Sequence, residues 1–179
     1  MADTDPALVA VGLTMEAMRW AFSEAQTTPP LGGGSEDVRF FAGDGLPVAA
    51  WVGHSSQCKC ASPMLWVRVV RRFRTSELPD ERPGARETGC LDPMALTVEG
   101  GVMRCAITAA RPTWEQWERE AQVQLDDSFR LDQALVRAQG SIEDKVAVDT
   151  MLGAGEPYGP EGGVIAWTQW IHIQLRKKS

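Results

Sequence analysis

The chain has 179 residues, 44% hydrophobic and 23% charged, with 18 Lys+Arg against 24 Asp+Glu. That length suits one ordinary domain, able to bury a core without disulfides or metal, and the net charge of −6 argues against a general nucleic-acid binder. No apolar run approaches the ~20 residues that span a bilayer, and the acidic start, Met1-Ala2-Asp3-Thr4-Asp5-Pro6, lacks the features of a secretion signal. A soluble protein of a cytoplasm is expected.

The first predicted element is an amphipathic helix within residues 1–26. Asp5 is a suitable N-cap and Pro6 suits the first helical position. Leu8, Val11, Met15, Met18 and Phe22 recur at helical spacing and form one apolar stripe. Residues 27–35, with Pro29-Pro30 and Gly32-Gly33-Gly34, read as a flexible connector, so the helix is free to pack on its own chain or on a neighbour. Residues 36–179 are expected to form an α+β core.

Short strands are predicted at residues 38–41 and 48–52, parted by the turn Gly43-Asp44-Gly45-Leu46-Pro47. The strongest strand is 64–74, with Leu65, Val67, Val69 and Phe73 on one face and Trp66, Arg68, Val70, Arg72 and Arg74 on the other. A second long β segment, 94–108, carries Gly100-Gly101 as a bulge or bend. The two should pair as a long antiparallel hairpin, joined by an extended polar loop at residues 75–93.

Thr113-Trp114-Glu115-Gln116 matches the capping-box pattern and opens a central helix over 114–139. Its apolar stripe is read as Trp114, Trp117, Ala121 and Leu125, continuing through Phe129 and Leu135, with Gly140 past its end. A short third helix, 142–152, and a Gly/Pro loop, 153–163, follow. The alternation of Ile165, Trp167, Ile171, Ile173 and Leu175 with polar neighbours makes 164–175 a half-buried C-terminal strand. The fold class expected is α+β: an antiparallel or mixed sheet with a long hairpin and a C-terminal strand, packed by the N-terminal and central helices. The inner face of the last strand is expected to lie on the Trp114, Trp117, Ala121 and Leu125 stripe.

No enzyme signature emerges, and no catalytic residue or cofactor is expected. His54 lies beside Ser55 and Ser56 without a nucleophile elbow, and His172 sits in a strand with no carboxylate nearby in sequence. Gly32-Gly33-Gly34 lacks the Lys-Ser/Thr of a phosphate-binding loop, and Asp126-Asp127 and Glu143-Asp144 read as solvated helix faces. Cys58, Cys60, Cys90 and Cys105 admit three readings: buried free thiols, preferred on composition; one or more disulfides; and a zinc site completed by His54. Arg68, Arg71, Arg72 and Arg74 form the one basic cluster, suited either to an acidic neighbour and passing DNA or to guarding a strand edge.

Several stretches together resemble the neck proteins of long-tailed actinobacterial phages. They are Val48-Ala49-Ala50-Trp51, Cys58-Lys59-Cys60, Leu65-Trp66-Val67-Arg68-Val69-Val70, Gly101-Val102-Met103-Arg104-Cys105, and Tyr158-Gly159-Pro160-Glu161-Gly162-Gly163 leading into Ile165-Ala166-Trp167-Thr168. The series covers most of residues 48–175, leaving the N-terminal helix outside. The resemblance implies a virion structural protein of the head–tail connection, most like a tail terminator. Such a protein forms a six-fold ring on the tail tube, caps it, and meets a head-side connector or stopper, with DNA passing through the lumen without sequence readout. Head-closure, stopper or adaptor proteins are the near alternative, and a zinc-binding interaction module is the alternative from another class. The family implies no catalytic residues. Candidate interface residues are Trp66, Arg68, Arg72, Arg74, Glu77, Asp80, Arg82, Arg86 and Trp170, on the expectation that the tryptophans stand on exposed strand faces. The mixed charges of the 75–93 loop suit docking against a neighbouring subunit or the tube.

Overall fold

Asp5 caps the first helix as its sequence suggests, accepting a hydrogen bond from the Ala7 N–H at 3.0 Å, and α1 runs Pro6–Ala21. The computed structural model describes residues 5–58, 60–80 and 92–176. After α1 come β1 (Val38–Phe41), α2 (Val48–Cys58), β2 (Met64–Arg74), β3 (Met94–Cys105), α3 (Trp114–Lys145), β4 (Ala147–Glu161) and β5 (Val164–Leu175). The five strands form one mixed sheet in the order β1-β2-β3-β5-β4. β1 lies parallel to β2, and every other pairing is antiparallel. The α+β class, the long β2–β3 hairpin and the C-terminal strand are as expected.

Helices α1 and α3 pack on one face of the sheet, α1 toward β1 and β2, α3 toward β4 and β5. Between them lies the main core, with Met18 and Phe22 from the α1 end, Leu131, Leu135 and Ile142 from α3, and Leu65, Val98, Ile171 and Ile173 from the sheet. A smaller cluster occupies the opposite face, where Trp51 of α2 meets Met64, Trp66, Met103, Val164 and Ala166. The helix stripe on α1 is rotated from the expected one. Ala7, Ala10, Thr14 and Ala17 face inward with Val11 and Met18, while Leu8 is exposed. Small residues let α1 approach its neighbours closely, and Thr14 satisfies its buried hydroxyl on the Ala10 carbonyl at 2.9 Å.

Four expectations are corrected. Residues 48–52 are the start of α2 rather than a strand; the helix begins behind Pro47, whose carbonyl accepts from the Trp51 N–H at 3.0 Å. The central helix does not stop at Gly140 but continues to Lys145, because the apolar face carries on through Ala138 to Ile142, both fully buried. No separate helix occupies 142–152, and residues 153–163 belong largely to β4. That strand lies at the sheet edge, where Pro157 and Pro160 are tolerated, and its register slips at three places, two of them at glycine or proline. Gly162 and Gly163, with φ of 59° and 77°, make the tight turn into β5.

The fourth correction concerns residues 27–35, which are strapped to the domain rather than flexible. Arg130 donates to the carbonyls of Thr28 and Pro29, both at 3.0 Å, and Arg119 donates to Leu31 at 2.7 Å. Arg104 donates to the carbonyls of Gly32 and Gly33, and Asp126 accepts from the Leu31 N–H at 2.9 Å. Buried Arg104 and Arg130 are held in turn by Asp127 and Asp126. Burial nevertheless pushes the Asp127 carboxyl above its ordinary pKa, against the pull of Arg104.

Candidate interaction surface

The residues proposed from sequence as interface anchors separate into three groups. Trp66 and Arg68, expected on an exposed face, are buried, Trp66 completely. The cause is Glu99, itself only 2% exposed, at the middle of β3. The sheet register sets Arg68, Glu99 and Trp170 in one row across three strands. Arg68 grips both carboxylate oxygens, Nε at 2.7 Å from Oε1 and an Nη at 2.8 Å from Oε2. Trp66 Nε1 donates to Oε1 at 3.2 Å and Trp170 Nε1 to Oε2 at 3.0 Å. The Glu99 hydrogen bonds hold the Arg68 guanidinium above its usual pKa, outweighing the opposite effect of burial. Trp66 fits because Gly101 faces it; a Cβ there would lie 2.1 Å from the indole ring. This constellation is a structural tie, with Trp170 half-buried at its margin.

The second group is exposed or half-exposed but dispersed. The bulge between Val69 and Arg71 reverses the facing of the outer half of β2, so Phe73 leaves the face of Leu65 and Val67. Arg71 then donates to Thr97 Oγ1 at 3.2 Å, and Arg72 turns to the helix side, pairing with Asp5 at 2.5 Å. Arg74 donates to the Asp92 carbonyl at 2.7 Å, while Glu77 and Asp80 are exposed. Arg82 and Arg86, the third group, lie outside the described residues, as does most of the 75–93 loop.

The feature missed from sequence is on α3. Trp114, Trp117, Ala121, Leu125, Phe129 and Val136 are all exposed, Trp114 by 85% and Leu125 by 70%. Their spacing keeps them within about a third of the helix circumference, on one outward strip. The expectation that this strip packs on β5 is therefore reversed. The inward face holds Val123, Asp127, Arg130, Leu131, Ala134 and Leu135. Two charged residues sit in that inner set because Arg130 pairs with Asp126 and holds the 27–35 strap directly, while Asp127 holds Arg104, which does the same from β3. A count of apolar residues could not tell the inner face from the outer one.

Beside the first turn of α3 lies a cleft of about 440 Å³ walled by Ile107, Val123, Ile165 and a Cys60–Cys105 disulfide, with Glu115, Arg119 and Glu120 at its rim. The preferred free-thiol reading is thus corrected for this pair: β3 ends where Cys105 faces the turn after α2, with Cα atoms 5.6 Å apart, within bridging range. Cys90 and the side chain of Cys58 lie outside the described residues. His54 contacts the Ser62 carbonyl at 3.2 Å and the Trp51 ring. His172 Nδ1 is 3.0 Å from Thr97 Oγ1 within the sheet. Among the described residues no group of three or more His, Cys, Asp or Glu side chains gathers as a metal site, and no helix is long and apolar enough to cross a membrane. No family model matches this chain, and no curated protein matches it.

Proposed function

We propose that this chain is a structural protein of the head–tail neck of a long-tailed phage, a tail terminator whose copies form a ring on the tail tube. The observation that carries this reading is the outward apolar strip of α3, because a row of exposed large apolar side chains headed by two tryptophans marks an assembly surface rather than a finished monomer face. The family resemblance along residues 48–175 supplies the setting, and the helix–sheet–helix–strand order suits it. The ring would meet the tail tube protein on one side and the head-side connector or stopper on the other. A head-closure role is the neighbouring alternative, but those proteins lean toward β-barrels, whereas α3 alone has 32 residues. The zinc-module alternative needs Cys60 and Cys105 as separate thiolates, and the two are joined to each other.

A reconstruction of the phage particle tests the proposal. Density for this chain in a ring between tube and head connector is the expected result. Finding it in the capsid shell, the tail tip or outside the virion overturns the reading.

A further inference from the structure

The ring reading leaves open which surfaces meet, and the pattern of charge on the fold narrows the choice. The outward strip of α3 carries Glu118 and Asp132 among its apolar residues and no basic side chain; Asp132 also accepts from Gln169 Nε2 of β5 at 3.0 Å, so Glu118 is its fully outward carboxylate. The arginines of α3 are all turned elsewhere: Arg119 and Arg130 to the 27–35 strap, Arg137 over the Trp20 ring at 4.7 Å. The strip is therefore apolar with acidic punctuation. The outer half of β2 is basic where it is exposed: Arg72 stands on the helix side beside Asp5 and can answer such a carboxylate, while Arg71 stands on the opposite face against Thr97.

We infer that the outward face of α3 docks on the outer half of β2 of a second copy of this chain. The inference rests on the ring reading for its closure. The two surfaces sit on opposite flanks, since α3 covers the β4–β5 side of the sheet while β2 lies next to the far edge strand β1. Neither contact blocks the other, so each copy can use both at once, head to tail. A contact of that kind propagates and closes into a ring when the rotation permits. Self-pairing of α3 is disfavoured on charge. An antiparallel α3–α3 contact centred on Leu125 sets Glu118 opposite Asp132, two carboxylates with no cation between them. A further exposed apolar pair, Val48 and Val52 of α2, has no basic residue within Val48–Cys58 to answer those carboxylates. The Arg72–Asp5 pair is exposed on both sides, so exchanging Asp5 for Glu118 of a neighbour costs little.

The test places a photo-crosslinking residue in the strip, Leu125→p-benzoylphenylalanine, in the full chain. Irradiation of concentrated protein and of assembled particles should give adducts between two copies, with the second attachment within residues 64–74. Glu118→Arg and Arg72→Glu should each reduce the adduct yield at least several-fold, and the double exchange should restore it. Both positions are exposed, and unchanged circular dichroism of each variant verifies that it folds. Adducts on α3 or α2 of the second copy, adducts only to another protein, no adduct in either preparation, or failure of the double exchange to restore yield overturns the inference. A chain located at the neck whose adducts avoid β2 keeps the neck reading and removes this one. Adducts on β2 from a chain found elsewhere in the particle do the reverse.

Discussion

The indole N–H groups of Trp66 and Trp170, from strands on either side of β3, end on the two oxygens of a single carboxylate. With Arg68 on the same oxygens, Glu99 is satisfied in a place where an unpaired charge would be costly. The row links β2, β3 and β5 on the face opposite the long helices.

Removing the centre of that row should be severe. Glu99→Ala leaves the buried Arg68 guanidinium uncompensated and two indoles without acceptors, at an expected loss of about 3–5 kcal/mol. Glu99→Gln keeps one acceptor oxygen and should lose less. Urea unfolding of the two variants checks the order. Equal and small losses would mean that water replaces the carboxylate.

Gly101→Ala should destabilise by about 1–3 kcal/mol or more, because the new methyl falls inside the Trp66 ring and the strand backbone cannot retreat. Gly140→Ala is the contrast. Nothing lies within 4 Å of a Cβ there, so the variant should gain up to ~1 kcal/mol from helix propensity. Thermal melts of both variants decide it.

The two faces of α3 make opposite predictions for large side chains. Trp114→Ala and Leu125→Ala should change stability by no more than about 0.5 kcal/mol, since both side chains are exposed. Leu131→Ala, in the fully buried centre, should cost about 2–5 kcal/mol. A destabilisation of Trp114→Ala matching that of Leu131→Ala would reverse the assignment of faces.

Burial, reinforced by the nearby positive charge of Arg71, holds the His172 imidazole below its usual pKa of 6.5. As pH falls below about 6.5 the unfolded chain takes up this proton first, so stability present at higher pH is lost on acidification toward the depressed folded value. His172→Asn should flatten the fall between pH 7 and pH 5 when unfolding is followed at each pH. Parallel curves for the variant and the parent would assign the acid sensitivity to other groups.

The Cys60–Cys105 bridge spans a sequence separation of 45. Closing a loop of that size removes unfolded-chain entropy worth about 2–4 kcal/mol. Added reductant, or Cys105→Ser, should lower the melting temperature by an amount equal within error for the two. An unchanged melt under reductant would show that the bridge is not formed in solution.

Much of the fold was legible from local pattern. Thr113 and Gln116 make both capping-box hydrogen bonds, at 2.9 and 3.3 Å, and the alternation in β5 places Ile171 and Ile173 inward. β2 was readable because Leu65, Val67 and Val69 recur at the strand period of two, and β3 because a long, largely apolar stretch follows a polar, proline-bearing one. Val48-Ala49-Ala50-Trp51 was not, since four apolar residues fit a short strand as well as the first turn of a helix. β4 was hidden by its own irregularity: Gly153, Gly155, Pro157 and Pro160 are loop signals except in an edge strand that bulges repeatedly. The candidate surface was invisible for another reason. Its residues were identified as an apolar stripe, but Asp127 and Arg130 made the true inner face look polar, and their partners lie on β3 and in the 27–35 strap. Trp66 and Arg68 misled in the opposite direction, because only the sheet register brings Glu99 beside them.

The arginine straps also set a timetable for synthesis. Arg130 reaches back to the Ala21 carbonyl at a separation of 109 residues, and α1 packs against α3. A ribosome adding about 5–20 residues per second needs several seconds or more to cover that interval. Throughout it Met18 and Phe22, both fully buried in the finished domain, have no α3 to cover them. The nascent chain thus presents an apolar N-terminal helix early and its cover late, a sequence of events that favours chaperone capture over independent folding of the first half.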